Sequence, residues 1–532
     1  MQRFLLFILI WLNVALGVVA VDSTTVKQAI GTDVVRATLR RIEDTCIFPQ
    51  DFLFMRRVAW QESKDGTYKL SSNWANSIGQ GGIWQVDQVG LDEVKNKNTA
   101  AMQSKKNSLL NQLQVDVNNL NRANGDLEIP INDGAVARLL VSNFAAPIPI
   151  DLTAQANYWK QYYNTAAGAG TVADFLNNMQ TMPKCDSSID LMFILDSSGS
   201  IGSGVFENVR NFVTTVVANL TLSEERNRVG IIEFSDNVIV VSPFSTNKTA
   251  IINAANQMPY LGSGTATTQA LDKAADVFSR TGRDPTSGYP WVAVLITDGA
   301  PDNSVTALNA ATNLKSMGVT LFVVGVGNEN FTNLQTTASK PTCVYFYSLD
   351  NYNSLASAFP EILSTRNCEV AALAPTNSSI ITSNVEKDQT RVIKFPVNIT
   401  TGMTWKLSMA SGSANIYASL TSTSPSSADY DYKAQSTTGK FGQIYISPSD
   451  LRKIYNGTSF ERLSFRSDYE SIDEESKNQT VFIYTAIQGV GDTNNFTLKF
   501  NSGDTLENNG ISSIFLLNHW MLCVGVVLCY FI

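Results

Sequence analysis

The chain has 532 residues, room for several domains of ordinary size, and its 44% apolar and 16% charged composition is that of folded material able to bury more than one core. Acidic residues outnumber basic ones 47 to 39, for a net charge of −8, which argues against a nucleic-acid partner, since phosphate selects a basic surface. The single histidine, His519, lies in the terminal tail and no CxxC pair occurs, which excludes a zinc site of the usual ligands.

Met1–Ala20 places Arg3 before the apolar run FLLFILIWLNVALGVV and ends at the small-residue site Val18-Val19-Ala20. That is the layout of a secretory signal, so the mature chain is expected to start near Val21. Residues 21–185 read as a mainly helical domain. Within Val26–Cys46 the stretch VVRATLRRIED has apolar positions at helical spacing with Asp33 as a candidate cap, and Asp51–Ser63 (DFLFMRRVAWQES) reads as a second helix ending at Glu62. A Gly-rich turn with Gly82-Ile83-Trp84-Gln85-Val86-Asp87 follows. Beyond it come an amphipathic stretch through Leu109, Leu113, Val117 and Leu120, a helix including Ala154–Tyr163, and another over Val172–Met179.

The Glu62-Ser63 pair at a helix end, followed about twenty residues later by a Gly-rich turn with Gln-Val-Asp, resembles the lysozyme-like fold of goose-type lysozymes and lytic transglycosylases. The resemblance implies that Glu62 is the general acid, and that Gly82, Trp84 and Gln85 form a wall of a sugar cleft for a polysaccharide. The chemistry is coherent, because a glycosidic oxygen leaves only when protonated and a carboxyl beside Trp60 or Trp84 can have its pKa raised for that work. One acid is half of the usual pair; Asp65 and Asp87 are candidates for the second. Tyr163-Asn164-Thr165-Ala166-Ala167-Gly168 is loosely similar to the family's Tyr-Asn-Ala-Gly element. Read without the resemblance, Glu62 pairs within a helical bundle whose core holds the Trp and Gln side chains.

Ile189–Ser200 (IDLMFILDSSGS) is an apolar strand that empties into a loop where Asp196, Ser198 and Ser200 alternate along a tight turn. Three oxygen-bearing side chains can then point one way, as a hard divalent cation requires. Two further oxygens are expected from the loop Gly264–Thr268 before a helix, and from the strand Trp291–Gly299 (WVAVLITDG), which ends in Asp298. The carboxyl ends of parallel strands are where ligands gather in an open α/β sheet.

The ordered motifs DxSxS, GTxT and TDG over residues 186–368 resemble the von Willebrand factor A domain with its metal-ion-dependent adhesion site. The resemblance implies Ser198, Ser200 and Thr265 as near ligands of Mg²⁺ or Mn²⁺, with Asp196 and Asp298 acting largely through water. It also implies one position left for an acidic group of an extracellular-matrix partner such as collagen. The remaining elements alternate as a doubly wound α/β fold does, ending in the strand Val344–Tyr347 and the helix Asn351–Thr365, and imply a parallel sheet covered on both faces.

Residues 369–500 carry short runs separated by Ser, Thr, Asn and Gly, namely Thr390–Val397, Thr404–Met409, Ala414–Leu420, Gly442–Ile446, Gln479–Ile487 and Asn495–Phe500. They read as an all-β sandwich. Residues 501–532 combine small residues at Asn501-Ser502-Gly503, a polar spacer and the apolar tail Ile514–Ile532. This is the layout of a glycosylphosphatidylinositol signal with Asn501 as attachment residue, or else of a terminal membrane helix. Either places the protein on the outer face of the plasma membrane. Sequons at Asn219, Asn247, Asn330, Asn377, Asn398, Asn456, Asn478 and Asn495 agree with that compartment.

Four of the six cysteines, Cys46, Cys185, Cys343 and Cys368, lie outside the tail and are expected to form two disulfides. On the α/β fold, Cys343 before the last strand and Cys368 after the last helix share one face. That favours Cys343–Cys368 with Cys46–Cys185; Cys185–Cys368 is the rival pairing. Three functions remain in view: metal-dependent adhesion, a surface-anchored lysozyme-like enzyme, and a structural matrix glycoprotein.

Overall fold

The computed structural model describes residues 20–68, 82–166, 168–184, 188–375, 380–397, 400–455 and 482–502. The leader before Ala20, the tail from residue 503, Cys185 and the sequons at Asn377, Asn398, Asn456 and Asn478 lie outside them. Among the described residues no helix is long and apolar enough to cross a membrane.

Strand β1 (Val21–Asp22) precedes a helical domain of α1 (Thr32–Asp44), α2 (Phe54–Ser63), α3 (Gln88–Asn96), α4 (Ala100–Leu113), α5 (Pro130–Val141), α6 (Leu152–Tyr158) and α7 (Val172–Gln180). Helix α6 runs straight into a π-helical turn, Trp159–Tyr163. The predicted cap Asp33 is not one: Gly31 occupies the cap position of α1, and the Asp33 carboxylate instead accepts from the Ser427 hydroxyl at 2.6 Å. Helix α2 starts later than expected because the Asp51 carboxylate accepts from the Leu53 and Met55 amides, at 3.0 and 3.1 Å. Val35, Leu39, Ile42, Val58, Leu109 and Leu139 share one core with the indoles of Trp84 and Trp159. Each such side chain stabilises the fold by about 1.5–3 kcal/mol relative to exposure.

The α/β domain is a six-stranded sheet in the order β4-β3-β2-β5-β6-β7, built from β2 (Asp190–Asp196), β3 (Arg228–Phe234), β4 (Val238–Ser245), β5 (Trp291–Thr297), β6 (Thr320–Val326) and β7 (Phe346–Leu349). Every residue of β2 is buried, as a central parallel strand between helical layers demands. Its helices are α8 (Ser203–Asn219), α9 (Lys248–Asn256), α10 (Thr267–Thr281), α11 (Ser304–Ser316), α12 (Tyr352–Ser357) and α13 (Phe359–Arg366). Three details correct the sequence reading. Edge strand β4 is antiparallel to β3, the last strand is displaced because Thr342–Tyr345 forms a helical turn, and the last helix is two, with Pro360 opening the second.

The third domain stacks the sheets β14-β12-β16-β10-β8 and β15-β11-β17-β9, a sandwich as expected. Its strands are β8 (Ala372–Leu373), β9 (Ile380–Glu386), β10 (Thr390–Pro396), β11 (Met403–Ser411), β12 (Ser413–Ser419), β14 (Tyr432–Thr437), β15 (Gly442–Ile446), β16 (Phe482–Gly489) and β17 (Thr493–Ser502), while β13 (Asp429–Tyr430) pairs with β1 instead. Asn501 lies inside β17 opposite Thr404, so the domain extends past the expected attachment residue rather than ending before it. Asn219, Asn247, Asn330 and Asn495 are all exposed.

The expected Cys343–Cys368 and Cys46–Cys185 pairings are overturned. Cys46 is bonded to Cys343, with Cα atoms 5.7 Å apart, because the end of α1 packs against the turn before β7. Cys368 is also disulfide-bonded. Around the bridge, Arg366 at the end of α13 grips Glu43 of α1 with two bonds of 2.7 Å, and Arg57 of α2 pairs with Glu361 of α13 at 2.8 Å. Arg283 and Arg391 lie over the Tyr289 ring, at 3.5 and 4.1 Å from its centroid, and join the α/β domain to the sandwich.

Two results are expected. Peptide mapping without reduction should yield a fragment joining Cys46 to Cys343 and none joining Cys343 to Cys368. Arg366→Ala should cost about 3–5 kcal/mol in a denaturant titration, because Glu43 and Glu369 lose the cation that faces them.

Candidate functional site

At the carboxyl end of β2 the chain turns sharply through Ser197–Ser200. Asp196 is buried; one carboxylate oxygen accepts from the Ser198 amide at 2.7 Å and the other from the Thr297 hydroxyl at 2.5 Å. The Ser198 and Ser200 hydroxyls are 3.0 Å apart, and Ser200 donates to Asp298 at 2.7 Å. Four of the five predicted ligands are thus linked within hydrogen-bonding distance. Thr265 is half-buried on the adjoining loop, which is tied to the first by Gly199 N–H to Ser263 O at 2.7 Å and Gly262 N–H to Ser197 O at 2.9 Å.

Burial pushes the Asp196 carboxyl up to about 6, with the nearby Asp298 charge adding to the rise and the Ser198 and Thr297 donors opposing it. Asp298 is raised as well, first by burial and then by Glu329. Two carboxylates forced together in partial burial are relieved by a bound cation. Hydroxyls plus two carboxylates form a hard oxygen donor set of the kind Mg²⁺ or Mn²⁺ takes. Among the described residues no cluster of three or more His, Cys, Asp or Glu side chains competes with it.

Sequence reasoning missed the end of β3. Asp236 accepts from the Gly264 amide at 2.9 Å and from the Ser263 hydroxyl, while Ser235 accepts from the Ser263 amide at 2.9 Å and donates to Gly264 O at 3.0 Å. These two residues hold the Thr265 loop in place. Gly264 lets Asp236 come this close, since a Cβ there would lie 2.0 Å from the carboxylate and push it off the loop. The available signal was the polar pair Ser235-Asp236 directly after a buried strand. Tyr352 of α12 was also missed; its buried hydroxyl has no partner among the described residues. Its pKa is raised by burial and then by the charges of Asp298 and Asp196.

The second set of predicted residues converges in the helical domain. Glu62 ends α2 and accepts from the Trp159 indole N–H at 2.7 Å; burial pushes its carboxyl up to about 7 against the pull of that bond. Ser63 donates to Ile83 O at 2.7 Å and Tyr163 to Trp84 O at 2.6 Å, so the Gly82–Gln85 turn is fixed beside α2. Gly82 has φ +68° and no space for a side chain, because a Cβ would meet Leu127 O at 2.1 Å. The expected role of Trp84 as a sugar-facing wall is corrected: its ring is fully buried and its indole donates to Met55 O at 2.9 Å. The indole beside the acid is Trp159, not Trp60 or Trp84. Neither candidate second carboxylate is free, since Asp65 is held by Arg56 at 2.6 and 2.9 Å and Asp87 caps α3 through Gly90 N–H at 2.7 Å. A cavity of about 750 Å³ lies elsewhere, at the junction of the three domains between Arg36, Thr221, Glu361 and Thr390, and includes no residue of either site.

Residues 190–361 match the von Willebrand factor type A domain. The chain is 32% identical over 179 residues to the collagen alpha-4(VI) chain of Mus musculus, covering 32% of this chain and 8% of that one. It is 34% identical over 181 residues to matrilin-1 of Gallus gallus, covering 33% and 36%. The chain therefore spans less than half the length of these relatives. Among solved structures, the mussel byssus proximal thread matrix protein 1 with a zinc-occupied MIDAS motif aligns at 18% identity and TM-score 0.30, over 38% of this chain and 53% of that one. The family match stops short of the helical domain, and the comparisons lend its lysozyme-like resemblance no support.

Asp236→Ala should weaken Mn²⁺ affinity by about 10- to 100-fold, the usual effect of removing a group that orients metal ligands, as read by calorimetric titration. Glu62 should make stability fall with pH. Its folded pKa of about 7 exceeds the ordinary carboxyl value, so the folded state keeps a proton that the unfolded state releases. Stability is then highest below the unfolded pKa near 4.5 and declines as pH rises through 7. Melting temperatures of Glu62→Gln and the parent chain should accordingly diverge between pH 5 and pH 8, the variant gaining.

Proposed function

We propose that this protein is an extracellular adhesion molecule that binds a matrix protein through a divalent cation held at the end of β2. The observation that carries the reading is the joined set Asp196, Ser198, Ser200 and Asp298. Ser198, Ser200 and Thr265 supply hydroxyl oxygens, Asp196 and Asp298 supply the charge, and the Asp236 clamp keeps the Thr265 loop against them. When bound there, Mg²⁺ or Mn²⁺ offers an open coordination position to an acidic side chain of the partner. The kinship of the domain with collagen and matrilin chains supports an extracellular matrix setting, with collagen among the partners to test. Glycan attachment and a lipid anchor at the far end of the sandwich fit the same setting as proposals.

A second reading is favoured by one specific observation, the half-buried Glu62 whose carboxyl is pushed up to about 7. An acid of that kind holds a proton near neutral pH and can deliver it to a glycosidic oxygen. On this reading the helical domain cuts a peptidoglycan- or chitin-like polymer, with the other domains positioning it at a surface.

Binding of the purified protein to a panel of matrix proteins, with Mg²⁺ and with chelator, tests the first reading. The expected result is binding lost in chelator and in Asp298→Ala. Binding unchanged by both would demote the site to a structural feature and leave a structural matrix glycoprotein. Clearing of bacterial walls, abolished by Glu62→Gln, is the expected result for the second.

A further inference from the structure

The π-helical turn Trp159–Tyr163 is absorbed by neither reading. A π turn inserts one residue into a helix and is seen mostly where a helix serves a site. Here it lets two side chains four residues apart reach different partners: Trp159 donates to Oε1 of Glu62 at 2.7 Å, and Tyr163 donates to the carbonyl of Trp84 at 2.6 Å. One turn of backbone thus holds both the acid at the end of α2 and the facing turn Gly82–Gln85.

The turn is itself held. The Trp159 ring is buried, packs on Phe175 with centroids 5.3 Å apart, and fits against Gly170, where a Cβ would stand 2.7 Å from the ring. Lys160 donates to the Asn164 side chain and to the Thr165 and Gly168 carbonyls, each at 2.8 Å. The indole therefore has little freedom to leave Glu62.

An indole N–H only donates. The oxygen it holds is therefore occupied by a donor, and a proton on the same carboxyl belongs on the other oxygen. Oε2 makes no hydrogen bond among the described residues. We propose that Trp159 is a positioning residue that fixes Oε1 of Glu62 and leaves Oε2 as the oxygen carrying the transferable proton, while Tyr163, from the same turn, holds the Gly82–Gln85 turn through the Trp84 carbonyl. The proposal rests on the second reading for its use, but its test does not.

The Tyr163 hydroxyl feels the charges of Glu62, Asp133 and Asp87, and the Lys64 ammonium, two residues beyond the acid, lies over the Trp60 ring. Asp133 is buried and accepts from the Trp84 amide at 2.8 Å, Asp87 is spent on its helix cap, and burial lowers the pKa of Lys64. None of these donates to Glu62. Trp159 is the one described donor to the carboxyl.

The experiment follows the Trp159 indole N–H resonance across pH in the ¹⁵N-labelled whole protein, in the parent chain, Glu62→Gln and Trp159→Phe. The expected result is an indole shift that titrates with a midpoint near the Glu62 pKa and vanishes in Glu62→Gln, which keeps an oxygen to accept from the indole but has no proton to lose. In Trp159→Phe the Glu62 carboxyl, followed by ¹³C, should titrate higher than in the parent, because the donor that favours its ionised form is gone. An indole resonance indifferent to pH, or a Glu62 midpoint unmoved in Trp159→Phe, overturns the proposal. Absence of wall clearing together with both shifts supports the proposal and removes the lytic reading, so the two failures are told apart.

Discussion

The guanidinium of Arg366 is the point on which the three domains depend. It ends the last helix of the α/β domain, is nearly inaccessible, and meets Glu43 from the first helix of the chain at 2.7 Å and Glu369, where the chain leaves for the sandwich, at 3.1 Å. Arg40 of α1 adds a second cation to Glu369 at 3.5 Å. A buried cation is tolerated only when paired and hydrogen-bonded, so these carboxylates cannot move away independently. The Cys46–Cys343 bond lies beside this network and makes the proximity covalent. Helical and α/β domains are consequently fixed through the turn before β7 and the end of α13.

The same arrangement limits what the last helix can do. Helix α13 is held at Glu361 by Arg57 and at Arg366 by Glu43, two contacts to one rigid neighbour a little over one turn apart. Sliding the helix along its axis would break the Arg366–Glu43 pair, at about 3–5 kcal/mol for a buried partner left bare, and the Arg57–Glu361 contact, which contributes less because Glu361 is largely in solvent. Arg57 and Glu62 belong to the same helix, α2. The acid of the helical domain is thus anchored to the α/β domain through its own helix.

The α/β domain was legible because its information is local and redundant. A fully apolar run ending in Asp196 announces a central strand, and three loops with oxygen side chains fall at strand ends by topology alone. What was not legible depended on long-range packing. The disulfide pairing followed from where α1 lies against the turn before β7, a contact across about 300 residues that no local pattern encodes. The Asp236 clamp was hidden because a Ser-Asp pair after a strand reads equally well as a turn. In the helical domain Glu62 and the Gly82 turn were found by spacing, whereas the indole touching the acid was assigned to the wrong tryptophan. Three tryptophans lay within reach, and only the π turn decides among them.

Two buried carboxylate sites in one chain illustrate two ways of keeping an acid out of water. Asp196 is offered several donors, from the Ser198 amide and the Thr297 hydroxyl, and has a second carboxylate nearby. That environment gathers negative charge, which a cation would relieve. Glu62 is offered a single donor from Trp159 and no cation within the described residues. Its burial is repaid most cheaply by retaining a proton. Both carboxyls are pushed upward by burial first; they differ in depth, Asp196 being buried and Glu62 half-buried, and in hydrogen-bond supply.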